Sequence, residues 1–169
     1  MKKASIFSKP IVATAIVLFL LAVDQLVKAL VEAYLPLQEA VHLIPHLALY
    51  RTYNLGVAFS MLSDVDGWLI VCMRLLIVAF VIWVWRKTET TRTFSHLGFA
   101  LIIAGAAGNI TDKLIYGHVV DYILFFTETW SFAVFNLADA FISVGAACVV
   151  LDEFLHARLE KKNAVSDNK

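Results

Sequence analysis

Four apolar runs, each near the ~20 residues a helix needs to cross the hydrocarbon core of a bilayer, constrain this chain more than any other feature. They fall at about 11–33, 67–85, 96–116 and 132–151. No water in hydrocarbon satisfies a bare N–H or C=O, so such a run closes its hydrogen bonds within itself as a helix. A hydrophobic content of 60% in 169 residues exceeds the ~45–50% of soluble domains and excludes a water-soluble globule. The expected fold is an all-α membrane protein, with four transmembrane helices in one domain over 1–169.

Lys2, Lys3 and Lys9 precede the first run, and 11–23 is unbroken and apolar. That pairing also opens a secretory signal peptide, but no small-x-small cleavage site follows. Asp24-Gln25-Leu26-Val27-Lys28 follows instead, and the apolar run resumes to Ala33, so an uncleaved first span is expected. The stretch 34–66 changes character. Pro36 and Pro45 break helices, and Leu47 to Tyr53 is rich in strand formers with partial alternation. Asn54-Leu55-Gly56 signals a turn, and 57–62 is apolar again. A small extracytoplasmic β-sheet or loop subdomain is expected there, with an aromatic-rich connector over 117–131.

Basic residues set the orientation. Arg86, Lys87 and Arg92 follow the second run and Arg158, Lys161, Lys162 and Lys169 end the chain, whereas the first loop carries only Arg51. Both termini are therefore expected in the cytoplasm, with the loop subdomain and the connector outside. The formal net charge is zero, so nothing draws the chain to nucleic acid in bulk. Cys72 and Cys148 lie in apolar runs without Cys or His neighbours and read as small buried hydrophobes.

Polar residues interrupt the apolar runs at one depth. At about 1.5 Å of rise per residue, Asp24 and Lys28, then Asn109, Asp112 and Lys113, then Asn136 and Asp139, and also Arg74, fall in a common layer of the outer leaflet. Asp139 stands out, because an Asp at the centre of a membrane helix costs about 2.5–3.5 kcal/mol. Asp24 and Lys28 are an i,i+4 pair; Asn109/Asp112 and Asn136/Asp139 are i,i+3 pairs that set an amide beside a carboxylate on one helix face. Asp121 is the other acid placed to meet Asp139, since Glu128 lies within the connector.

Two carboxylates a few ångströms apart do not both ionise, and such a pair holds one proton between its members. The ionised member takes a proton from water while the protonated one polarises a peptide carbonyl, which is general acid/base hydrolysis without a covalent intermediate. Other hydrolytic signatures are missing: there is no GxSxG or HExxH, and the five His show no metal-ligand spacing. An ion-coupled transporter also places acids within the membrane, and a tetraspan scaffold would use the same layer for helix adhesion. By residue chemistry alone all three stay open.

The motifs resemble those of lipoprotein signal peptidase (signal peptidase II), a bacterial membrane aspartic peptidase family. The blocks are Asp24-Gln25-x-x-Lys28, Asn54-x-Gly56-x-Ala58-Phe59, Gly105-x-x-Gly108-Asn109-x-x-Asp112-Lys113, Val120-Asp121-Tyr122 and Phe135-Asn136-x-Ala138-Asp139. The resemblance implies a catalytic dyad of Asp121 and Asp139, supported or lined by Asp24, Lys28, Asn54, Gly56, Gly105, Asn109, Lys113, Asn136 and Ala138. It implies cleavage of a prolipoprotein signal peptide before a diacylglyceryl-modified cysteine. It further implies a place in the bacterial inner membrane, an extracytoplasmic site, inhibition by globomycin-type compounds, contact with membrane lipid, and no metal or organic cofactor; nothing in the sequence demands more than a monomer. Two positions depart from the pattern. Lys113 stands where the family usually has Arg, which loses the planar fork, and Ala104 where many members have a second glycine.

Overall fold

The computed structural model describes residues 3–55 and 67–167, with side chains over 3–55, 69 and 71–159. Gly56 and the apolar stretch 57–62 lie outside the described residues. Each of the four apolar runs carries a helix: α1 Pro10–Tyr34, α2 Gly67–Lys87, α3 Thr93–Tyr116 and α4 Leu137–Asp167. Among the described residues three helical segments are long and apolar enough to cross a membrane, Pro10–Tyr34, Thr93–Tyr116 and Leu137–Leu159.

Local chemistry sets the helix ends. Pro10 opens α1, where a missing N–H costs nothing. Gly117 closes α3 at φ 75°, a left-handed position that spares a residue without Cβ, and its N–H donates to Lys113 O at 3.1 Å. Burial on α1 is the reverse of a soluble helix. Asp24 and Lys28 are buried while Ile11, Leu18, Phe19 and Leu26 are exposed. Charges inward and apolar side chains outward suit an apolar solvent.

Helix α3 is central and packs against α1, α2 and α4. Its small-residue face meets α4 at backbone distance. A Cβ on Gly98 would lie 2.6 Å from Gly145 O, and one on Gly105 would collide with Ala138 O. Small residues thus let two backbones approach. Ala104 is fully buried in the same helix.

Strands β1 Ala40–Ile44, β2 Leu47–Asn54 and β3 Val119–Phe125 form an antiparallel sheet in that order. The expected small sheet is present, but its third strand comes from the stretch expected to be a connector. Val119-Val120-Asp121-Tyr122-Ile123 is rich in β-branched and aromatic residues, and pairing with β2 satisfies its backbone.

The last helix also begins later than its apolar run. Residues 132–135 bond to β3 instead: Phe132 N–H donates to Phe125 O (2.8 Å), and Tyr122 and Ile123 N–H both donate to Phe135 O (3.0 and 2.8 Å). Phe125 stacks on Phe135 there, and Phe132 meets Phe135 edge to face. Helix α4 therefore starts at Leu137, and Asp139 lies in its first turn rather than deep within a span. Cys72 is exposed on α2 and Cys148 half-buried, so neither is the buried hydrophobe that its apolar run suggested.

Candidate active site

The start of α4 explains how Asp139 is held. Asn136 precedes the helix and its Oδ1 accepts the Asp139 backbone N–H at 3.0 Å. In return Asp139 Oδ2 accepts the Asn136 backbone N–H at 3.2 Å. This reciprocal pair is a capping box, and a carboxylate in a first turn is favoured by the helix dipole. The cost expected for an acid at a helix centre does not arise. Leu137 N–H donates to the Tyr122 hydroxyl at 3.2 Å, so the strand carrying Asp121 also caps this helix.

Asp121 projects from β3 beside Thr52 of β2, and Asn54 is its diagonal neighbour on the same face. Asn54 Nδ2 donates to Asp121 Oδ2 at 3.0 Å, and Asn136 Nδ2 donates to Asp121 Oδ1 at 2.6 Å. One asparagine therefore touches both acids, through its side chain to Asp121 and its main chain to Asp139. Burial pushes the Asp121 carboxyl up to about 6; the Asn54 and Asn136 hydrogen bonds oppose the rise, and the charge of Asp139 adds to it. Burial likewise lifts the Tyr122 phenol to about 12, which leaves it a neutral hydroxyl. Asp121 is 3% exposed and Asp139 half-buried, so the pair opens on the Asp139 side.

Behind the acids lies a buried polar cluster. Lys28 Nζ is 2.9 Å from Asp24 Oδ2 and 2.8 Å from Asp112 Oδ2, and it donates to Asn109 Oδ1 at 3.1 Å. Asn109 Nδ2 donates to Asp139 Oδ1 at 2.8 Å. Gln25 Nε2 donates to Asp112 Oδ1 (2.8 Å) and Asp24 Oδ2 (3.2 Å), and Val120 N–H donates to Asp112 Oδ2 (3.3 Å). A cavity of about 320 Å³ adjoins this cluster, lined among others by Gln25, Lys28, Glu32 and Asp112.

The structure thus brings together Asp24, Lys28, Asn54, Asn109, Asp121, Asn136 and Asp139. Gly105 and Ala138 serve by packing, as the contact of α3 with α4 directly before Asp139. Gly108 has the same character, because a Cβ there would strike the Asp24 carboxylate. Lys113 is not part of the cluster. Its Nζ donates to Leu55 O and Gly117 O, both at 2.7 Å, tying the end of α3 to the end of β2. Arg74 Nη1 is buried without a hydrogen-bond partner among the described residues. Asp112 and Gln25 were not among the sequence-selected site residues. The i,i+3 spacing from Asn109 placed Asp112 on the right face; Gln25 has no comparable signal beyond adjoining Asp24.

Among the described residues no group of three or more His, Cys, Asp or Glu side chains is placed to hold a metal ion. The arrangement offers two carboxyls, one buried and one half-buried, each oxygen already accepting an N–H, with amides rather than bases as neighbours. Such a pair can exchange one proton with water and with a carbonyl oxygen.

Comparison with known proteins places the chain in a family. Residues 16–155 match the family model described as signal peptidase (SPase) II. The chain is 59% identical over 157 residues to a lipoprotein signal peptidase of Sinorhizobium fredii, spanning 93% of this chain and 95% of that protein. It is 57% identical over 160 residues to another from Allorhizobium ampelinum, spanning 95% and 98%. In fold it is similar to a bacterial membrane enzyme solved by the in meso method at 2.3 Å, with a TM-score of 0.79, 23% identity, and coverage of 93% of this chain and 94% of that one. This chain belongs to the signal peptidase II family.

Proposed function

We propose that the chain is an aspartic endopeptidase that removes the signal peptide of prolipoproteins before a diacylglyceryl-modified cysteine, with Asp121 and Asp139 as the acid/base pair. The observation that carries this reading is Asn136, which donates to Asp121 Oδ1 at 2.6 Å through its amide and to Asp139 Oδ2 at 3.2 Å through its backbone. Two acids on one asparagine, near an opening, suit attack by a shared water.

The ionised carboxyl takes a proton from that water as its oxygen attacks the scissile carbonyl carbon. The protonated carboxyl gives its proton to the carbonyl oxygen, so the tetrahedral species is a neutral gem-diol. On collapse, the first carboxyl passes its proton to the leaving amine nitrogen, and the second recovers one from a gem-diol hydroxyl. Acid and amine leave, and the pair again holds a single proton.

Helix α2 is the fourth span in this reading. The basic loop and tail lie in the cytoplasm, and the sheet lies on the extracytoplasmic side of the inner membrane. A diacylglyceryl anchor then delivers the scissile bond at the leaflet surface where the acids sit, and the anchored substrate has little translational freedom left. The reading includes a monomer that needs no cofactor and is inhibited by globomycin-type compounds. The segment from Phe125 to Trp130, a tight hairpin closed by Thr127 N–H to Trp130 O at 2.6 Å, acts as a lid over the pair.

Incubating the purified protein with a diacylated prolipoprotein tests the proposal. Release of the signal peptide, blocked by globomycin and absent without the diacylglyceryl group, is expected. Ion flux in vesicles with no proteolysis would instead assign a transporter.

A further inference from the structure

We infer that Lys28 is a positioning residue that acts on the acid pair without touching it, by fixing the direction of two buried side-chain amides. The proposal rests on the peptidase reading above and goes beyond it in giving the cation a role in orientation.

An ammonium has three donors and no acceptor. Lys28 spends them on Asp24 (2.9 Å), Asp112 (2.8 Å) and Asn109 Oδ1 (3.1 Å). Asn109 must therefore turn its oxygen toward α1, which leaves its Nδ2 facing Asp139 Oδ1 at 2.8 Å. The Asn109 oxygen then also accepts Asn136 Nδ2 at 3.1 Å. The other hydrogen of that amide goes to Asp121 Oδ1 at 2.6 Å, while Asn136 Oδ1 accepts Asp139 N–H at 3.0 Å. The donors converge on Asn109 Oδ1, from Lys28 on α1 and from Asn136 before α4, and each amide's N–H groups go on to one acid: Asn109 to Asp139, Asn136 to Asp121. Asn109 is 4% exposed and Asn136 fully buried, so a donor that turned away would leave a buried polar atom unpaired. Each acid consequently accepts an N–H from one of these two side-chain amides, Asp139 from Asn109 and Asp121 from Asn136, which fixes the carboxyl in place.

A simpler role for Lys28 is to neutralise Asp24 and Asp112, and the two roles separate by experiment. The test variant is the triple substitution Lys28→Met, Asp24→Asn, Asp112→Asn, which removes the cation and both of its buried counter-charges together. Melting temperature, kcat and KM are measured with a diacylated prolipoprotein, beside the wild type and Asp139→Asn. Orientation by Lys28 predicts a variant that folds, with KM near wild type and kcat lower by about 10²-fold, the scale of a misplaced catalytic group. A folded variant with kcat within about threefold of wild type would overturn the proposal and leave charge neutralisation as the whole role.

If the triple variant does not fold, the wild type still decides. In asparagine-labelled protein in micelles, a nuclear Overhauser contact from the Asn109 amide protons to Asp139 Hβ supports the stated direction. A contact to Lys28 Hε in its place overturns it. Failure of the wild type to cleave, or normal cleavage by Asp139→Asn, would instead count against the peptidase reading itself.

Discussion

Asp121→Asn exchanges a buried carboxyl for a neutral group of the same shape, and its effect on stability should depend on pH. Burial lifts the Asp121 carboxyl from 3.8 to about 6. At about 1.36 kcal/mol per pKa unit, ionising it inside the fold costs about 3 kcal/mol more than in the unfolded chain. Below about pH 3 the group is protonated in both states and exerts no penalty. As pH rises from about 4 to about 6 the unfolded chain loses its proton before the folded one, so native stability falls across that window and stays lower above it. The amide cannot titrate. Its own contacts, such as an N–H set against Asn54 Nδ2, displace the mutant curve. The wild type should therefore lose about 3 kcal/mol relative to Asp121→Asn between pH 3 and pH 7, or roughly 6–12 °C by the scaling for chains of this size. Thermal unfolding in detergent, followed by tryptophan fluorescence at steps of pH, measures the difference. Parallel curves for the two proteins would show that the Asp121 carboxyl is not held out of water, and the reasoning would fail at that point.

Further outcomes follow from the packing and the tethers. Gly145→Ala sets a methyl carbon 2.6 Å from Gly98 O and should destabilise by about 1–3 kcal/mol through overpacking, read as a lower melting temperature with little change in kcat. Gly105→Ala presses on Ala138, next to Asp139, and should lower kcat as well; an unchanged kcat would detach this contact from the chemistry. Lys113→Arg still has donors for the Leu55 and Gly117 carbonyls and should keep turnover within a few-fold, whereas Lys113→Ala should lose more. The lid predicts fast deuterium exchange over 125–130 that slows when globomycin binds, and exchange as slow as in the helices under both conditions would remove the lid.

Much of the fold was legible because the bilayer leaves few choices. Long apolar runs become helices whose backbone hydrogen bonds close within themselves. The polar layer was legible for a related reason, since Asp24, Asn109 and Asp139 have no business in hydrocarbon unless they meet one another. The sequence reading went astray where a local motif competes with hydropathy. Phe132-Ala133-Val134-Phe135 is apolar enough to continue a span, yet its backbone bonds to β3. Asn136 and Asp139 carry the spacing of a capping box, which marks a helix start rather than an acid within a span. Strand β3 was hidden because its partner lies some seventy residues away (Thr52 pairs with Asp121), and no local periodicity records that register. The second carboxylate on Lys28 was likewise invisible, because α1 and α3 meet only in three dimensions.

The central claim is that Asp121 and Asp139 act as one catalytic unit, and a double-mutant cycle on turnover tests it most directly. Single-turnover cleavage of a diacylated prolipoprotein is measured for wild type, Asp121→Asn, Asp139→Asn and the double variant, each checked for folding. Each single change should abolish cleavage, and the double should be no slower than either, as for groups that work only together. Substantial cleavage by one single variant, or losses that multiply in the double, would contradict the claim.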